Sequence, residues 1–186
     1  MAIPGKVFIA CSLDGFIARE DGDIDWLLRY PDIGDDYGYV RFMETVDGLI
    51  MGRGSYEKVL GFDPWPYDKP VVVLSSTLSA DAVPQRLAGK VRITDKSPQA
   101  ILADLEREGW RAAYVDGGKV IRSFLAGGLI TEMIVTFIPV LLGTGLPLFG
   151  ATGGDIQLTL EGSESYSTGF VQSRYRVDSQ RAPGES

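Results

Sequence analysis

A chain of 186 residues, 45% hydrophobic and 23% charged, is long enough to bury one large core. Acidic side chains outnumber basic ones 25 to 18, for a formal net charge of -7, which argues against a general nucleic-acid-binding surface and requires any bound anion to be held locally. The sequence contains no histidine, which excludes Ser-His-Asp and Cys-His chemistry and removes the commonest metal ligand; no metal is expected, and proton transfer falls to a carboxylate, tyrosine, lysine or water.

Lys6 to Ser12 (KVFIACS) is a continuous apolar run of strand length, suited to a strand buried on both faces at the centre of a sheet. It holds the sole cysteine, Cys11, which cannot form an intramolecular disulfide and reads as a small buried hydrophobe. No basic leader with a cleavage site precedes it and no segment is long and apolar enough for a membrane helix, so a soluble cytoplasmic protein is expected. Leu13-Asp14-Gly15 is a turn signal, and the polar REDGDID loop ends at Trp26, which must dock either as a plug over a core edge or as the wall of a ligand pocket.

Pro31 to Gly34 is turn material, and Asp35 or Asp36 can cap a helix running to about Val46, in which Tyr39, Val40, Phe42, Met43 and Val46 recur at helical spacing. Gly48 to Gly52 (GLIMG) is a second buried strand feeding a helix through Gly52-Arg53, which offers backbone amides plus one guanidinium to a phosphomonoester. After the turn-rich GFDPWPYDKP, Val71 to Leu74 is a third apolar strand closed by Ser75-Ser76-Thr77, hydroxyls that either bind phosphate oxygens or satisfy a turn. Val91 to Thr94 is a short strand, and Ser97-Pro98 opens a helix to about Glu108 with Ala100, Leu102 and Leu105 facing inward.

Ala112 to Val115 is followed by Asp116, the pair Gly117-Gly118, an amphipathic segment from Lys119 to Ala126, and a β-branched run from Thr131 to Ile138. Two glycines let a backbone approach a ligand closely, and amides opening a helix carry partial positive charge; the corner suits a pyrophosphate, or is only a tight turn. Residues 139–149 (PVLLGTGLPLF) form a rigid apolar loop that packs on the core or on a partner subunit. Ile156 to Leu160 and Phe170 to Val177 alternate as an antiparallel edge hairpin with polar GSESYSTG between them, and 179–186 has the composition of a disordered tail.

Without an internal repeat or a linker, residues 1–178 read as one domain. Buried strands separated by helices predict a three-layer α/β fold, a central, mostly parallel twisted sheet with helices on both faces and a C-terminal antiparallel hairpin. Ligands of such sheets sit at the carboxyl ends of the strands. Three of those ends carry Gly52-Arg53, Ser75-Ser76-Thr77 and Gly117-Gly118.

The motifs VFIACSLDGFIA, LIMGRGSYE, VVVLSST, YVDGGKVIRSFL and PVLLGTGLPLF, in this order and across about Val7 to Val177, resemble the dihydrofolate reductase fold, and within it the reductase domain of bacterial riboflavin biosynthesis. The resemblance implies an NADPH-dependent reductase acting on a small pterin- or pyrimidine-like heterocycle. It assigns Gly52, Arg53, Ser75, Ser76 and Thr77 to the adenosine ribose and its 2′-phosphate, Gly117, Gly118, Lys119 and Val120 to the pyrophosphate, and Ala10 and Ile17 to the nicotinamide. An arginine paired with hydroxyls prefers a phosphomonoester to a bare ribose, which favours NADP over NAD.

For the substrate, the folate enzymes' buried carboxylate corresponds to Asp36 and their partner threonine to Thr136, with a helix cap as the alternative for Asp36. The riboflavin-pathway branch carries over Asp14 of SLDG as a contact to a sugar-phosphate substrate, and Trp26 would close the pocket. Asp116 departs from the glycine usual in the folate enzymes, and no second basic cluster for a ribityl phosphate is evident. A small-molecule substrate, no nucleic acid, no membrane and a homodimer built on PVLLGTGLPLF or the hairpin complete the expectation, with a non-catalytic NADP-binding or structural homodimer as the rival.

Overall fold

Central strand β1 (Gly5–Ser12) runs parallel to β6 (Ala113–Asp116) on one side and to β7 (Ile130–Ile138) on the other. The computed structural model describes residues 2–30 and 34–178; the turn expected at 31–33 and the tail expected at 179–186 lie outside the described residues. Beyond β6 the sheet continues through β3 (Gly48–Gly52), β4 (Val71–Leu74) and β5 (Val91–Thr94), all parallel. Beyond β7 it reverses into β10 (Val171–Val177) and β9 (Leu158–Ser165), both joined antiparallel. The short strands β2 (Phe16–Ala18) and β8 (Leu146–Pro147) form a separate antiparallel ribbon.

Alternation along the strands splits the core into two layers. On one face Val7, Cys11, Ile50, Val72, Val115 and Val135 meet helices α4 (Pro98–Arg107) and α5 (Gly118–Ala126) through Leu102, Leu105, Ile121 and Phe124. On the other, Leu49, Met51, Val71, Val73, Tyr114 and Ile134 meet α2 (Tyr39–Met43) and α3 (Arg53–Leu60) through Phe42, Tyr56 and Val59. Phe124 is fully buried, worth about 1.5–3 kcal/mol relative to exposure. A third cluster forms where α1 (Asp25–Leu28) sinks Trp26 against Ile138 and Phe170.

Strands β4 and β5 have the expected bounds, and α4 is capped by Ser97, whose hydroxyl accepts the Ala100 amide at 3.3 Å. Three expectations are corrected. Helix α2 stops at Met43 rather than near Val46, and it begins only after Gly38, whose φ of 80° breaks the helical path. Ala100 is exposed, and Ile101 takes the inward position. Strand β9 starts at Leu158 and runs through the polar GSES to Ser165, because an edge strand exposed at every residue needs pairing with β10 and no apolar face.

Residues 139–149 pack on this chain's own first loop. Strand β8 pairs with β2, and Gly145 comes so close to Ala18 that a Cβ there would lie 2.3 Å from its carbonyl oxygen.

Candidate functional site at the carboxyl edge of the sheet

The in-register pairs Gly52↔Leu74 and Met51↔Asp116 set the ends of β3, β4 and β6 side by side. Each strand then delivers a different group to that rim. After β3, Arg53 opens α3; its guanidinium donates to Glu57 at 2.7 Å and to the Thr77 hydroxyl at 3.2 Å. After β4, the Ser75 hydroxyl accepts the amides of Thr77 and Leu78 at 3.2 and 3.1 Å, so Ser75 holds the turn that presents Thr77. Ser76 is exposed beside them.

After β6 comes the glycine pair. Gly117 has φ 87°, and a Cβ on it would lie 2.6 Å from the Ser55 hydroxyl oxygen, so glycine is required both by the backbone and by the closeness of α3. A Cβ on Gly118 would lie 2.7 Å from the Pro147 carbonyl oxygen and 3.0 Å from Ile17 Cδ1, which puts Ile17 of the ribbon against the turn. Val120 is buried and abuts Gly52, while Lys119 is exposed in the first turn of α5. The first backbone bond of α5 is Ile121 N–H to the Gly117 carbonyl at 2.8 Å, so the three preceding amides have no partner within the helix.

Helices α3 and α5 both start at this rim without a side-chain cap, whereas α4 is capped by Ser97. Two uncapped N-termini next to one arginine and a hydroxyl make a local positive field on an otherwise acidic protein. The cluster suits a ligand with a pyrophosphate and a separate phosphomonoester: its glycine pair admits a close approach, and its guanidinium and hydroxyl supply directed donors.

The residues expected for the substrate are not brought together in the same way. Asp36 is exposed, and its two carboxylate oxygens accept the amides of Gly38 and Val40 at 3.0 and 2.8 Å. Those bonds, Val40 first, hold its carboxyl below the ordinary value. It holds the turn that leads into α2, whose N-cap is Gly38, and the expectation of a buried acid there is corrected. Thr136 is buried, and its hydroxyl oxygen accepts Gln172 Nε2 at 2.9 Å; the same amide donates to the Tyr37 carbonyl at 3.1 Å.

Asp14 is likewise committed to the protein. It accepts the Ser12 hydroxyl at 2.5 Å and the Gly143 amide at 2.8 Å, with Leu142 N–H at 3.1 Å. Its exposed carboxylate clasps two loops together. Trp26 is fully buried, with Ala10, Tyr37 and Tyr166 packed around its cluster, and its indole N–H has no acceptor among the described residues.

Asp116, which stands where the folate enzymes usually have glycine, is an acid at this rim to which the resemblance assigns no role. It ends β6 on the same face as Tyr114, half-buried, and burial pushes its carboxyl up while the Ser55 hydroxyl and the Gly117 amide act in the opposite sense. The available signal is position: an acid immediately before a glycine pair at a strand end. Two recesses of about 450 and 440 Å³ lie away from this rim, near Leu125 and Ile156, and contain none of these residues.

Comparison with known proteins agrees with this architecture. Residues 6–172 match the RibD C-terminal domain family. The uncharacterized protein YwjB of Bacillus subtilis (strain 168) is 37% identical over 163 residues, 86% of this chain and 90% of that protein. A crystal structure from Shewanella sp. PV-4, named for riboflavin biosynthesis, superposes with TM-score 0.88 at 43% identity, covering 96% of this chain and 99% of that one. The Thermotoga maritima diaminohydroxyphosphoribosylaminopyrimidine deaminase/5-amino-6-(5-phosphoribosylamino)uracil reductase shares the fold with TM-score 0.71 at 16% identity, over 95% of this chain and 57% of that one. The chain belongs to the RibD C-terminal domain family and has its dihydrofolate reductase-like fold.

Proposed function

We propose that this member of the RibD C-terminal domain family is an NADPH-dependent reductase that acts on a small pyrimidine-type heterocycle. Family membership and the reductase names of its structural neighbours support an oxidoreductase. The observation that carries the choice of cofactor is the Arg53–Thr77 contact at 3.2 Å beside the uncapped starts of α3 and α5.

In this reading Arg53 and Thr77 bind the 2′-phosphate, with Ser75 holding their turn and Ser76 at its edge. Gly118, Lys119 and Val120 bind the pyrophosphate through the amides that open α5, and Gly52 and Gly117 let it approach closely. Ile17 and Ala10 flank the nicotinamide. NADPH, when bound, supplies a hydride to the substrate. The residues do the rest: they orient the two ligands, exclude water and neutralise phosphate charge. Thr136 and Gln172 form a polar floor under the Trp26 cluster.

The rival reading, a non-catalytic NADP-binding or structural homodimer, draws on Asp36 being spent on the turn before α2. Titration of the protein with NADPH and NADH, followed by nicotinamide fluorescence, tests the cofactor site. The expected result is at least about tenfold tighter binding of NADPH, with that preference lost in Arg53→Ala, as befits a charge-assisted bond of about 1.5–3 kcal/mol. Equal affinity for the two nucleotides would overturn the assignment. NADPH consumption with a panel of amino-pyrimidines then separates enzyme from binding module.

A further inference from the structure

Arg122 follows Gly118 by one helical turn of α5, so the two share a face, and a helical side chain leans back toward the N-terminus. Its guanidinium accordingly rests over the glycine turn: a Cβ on Gly118 would lie 3.1 Å from Arg122 Nη1. Gly150 closes on the same side chain from elsewhere in the chain, since a Cβ there would lie 2.9 Å from Arg122 Cδ and 3.4 Å from Nε. Two glycines thus leave a slot that this half-buried arginine fills. At its end Nη1 donates to the Pro147 carbonyl. Arg53 is paired with Glu57, whereas Arg122 has no carboxylate partner among the described residues.

Pro147 lies in β8 in register with Phe16 of β2, and the next residue of β2 is Ile17, whose Cδ1 would be 3.0 Å from a Cβ on Gly118. Gly118 is therefore the point where helix, ribbon and Ile17 meet. The ribbon's other ties lead elsewhere. Leu148 N–H donates to the Gly15 carbonyl at 2.9 Å, the Leu148 side chain is buried in the core, and Asp14 holds Leu142 and Gly143. Among the described residues, the hydrogen bond that joins the ribbon to α5 is Arg122 to Pro147. Without it the ribbon keeps its own pairing and its core anchor but loses the bond that seats it on the turn.

We propose that Arg122 is a positioning residue for the cofactor: it holds the β2–β8 ribbon on the Gly117-Gly118 turn, so that Ile17 is fixed beside the nicotinamide. It acts through Pro147 and not by contact with the phosphates. This rests on the reductase reading above, and it gives the apolar loop 139–149 a part in the site, since that loop supplies the carbonyl that the arginine grips. A planar guanidinium suits the task, because its donors have a fixed direction and a charge-assisted bond is roughly twice as strong as a neutral one.

Arg122→Met keeps an aliphatic stem in the slot and removes the donors. Calorimetric titration of parent and variant compares NADPH with 2′-phospho-ADP-ribose, which has the same phosphates and no nicotinamide. NADPH is expected to bind Arg122→Met at least about fivefold more weakly than the parent, and 2′-phospho-ADP-ribose to stay within about twofold, with thermal unfolding checking that the variant is folded. Equal loss for both ligands, or loss for neither, would overturn the proposal. A measurement without ligand is the nuclear Overhauser cross-peak between the Ile17 δ1-methyl and the Gly118 α-protons, expected strong in the parent and weakened in Arg122→Met; an unchanged cross-peak also overturns it. A parent protein that binds neither nucleotide sinks the reductase reading itself, and the cross-peak still decides whether Arg122 seats the ribbon.

Discussion

The Asp14 carboxylate accepts the Gly143 amide at 2.8 Å, joining two loops 129 residues apart in the chain. With Ser12 and Leu142 also donating to it, this one side chain holds the loop after β1 against the loop after β7. The ribbon they lead into lies over Gly118, so the clasp fixes one border of the candidate site.

Asp14→Ala is therefore expected to speed hydrogen exchange at the amides of Leu142 and Gly143 while leaving β1 and β7 protected. The Ser12 hydroxyl is the main cause holding the Asp14 carboxyl below its ordinary value. A depressed folded-state pKa means that the clasp is intact above the unfolded value, about 3.9, and is lost as pH falls through the lower folded value. An acid titration of the Gly143 amide resonance that moved at or above the ordinary carboxylate range would contradict this.

Gln172→Leu removes the donor shared by the Tyr37 carbonyl and the Thr136 hydroxyl. Tyr37 has φ 53°, a conformation non-glycine residues seldom adopt, so its backbone depends on such a tether. A loss of about 1–3 kcal/mol is expected in denaturant unfolding. The melting temperature should fall by about 2–12 °C. An unchanged midpoint would mean that the amide only decorates the surface of β10.

Asp116→Asn is expected to stabilise the protein near neutral pH. Burial raises the folded carboxyl above its unfolded value, so this group's favourable contribution is present below the unfolded pKa and is lost as pH rises through the folded one. The amide keeps an acceptor for the Ser55 hydroxyl and the Gly117 N–H without the buried charge. Thermal unfolding across pH should show the variant ahead at neutrality and level with the parent in acid. A variant less stable than the parent at neutral pH would show that the ionised acid is favoured by a partner.

Gly117→Ala places a Cβ 2.6 Å from the Ser55 oxygen at φ 87°. A cost of about 1–3 kcal/mol is expected from the backbone alone. Because the methyl displaces the Ser55 side chain and strains the turn that opens α5, NADPH affinity should fall with stability. The double variant with Ser55→Gly should recover the steric share and leave the backbone share, so full recovery in urea unfolding would refute the backbone argument.

Much of the fold is legible in local patterns. Val71 to Leu74, Val91 to Thr94 and the Ser97 cap depend on signals within a few residues, and the structure has them at those positions. The polar stretch 162–165 has the composition of a loop and is strand instead, because an edge strand with no buried face carries no apolar alternation. Asp36 resembles a ligand-binding acid by its count from Gly52, yet an acid that holds a turn and a substrate acid share the same one-letter signature.

Sequence alone determined which strands are buried, where α4 starts, and that glycines, an arginine and hydroxyls end three of those strands, since each follows from local periodicity and turn chemistry. Only the tertiary structure decided which acid faces the rim, that Asp14 is spent on Leu142 and Gly143, and that Gln172 rather than Asp36 holds Thr136. Those choices depend on partners far apart in the chain. A carboxylate's role is set by the donors and the solvent that folding leaves around it.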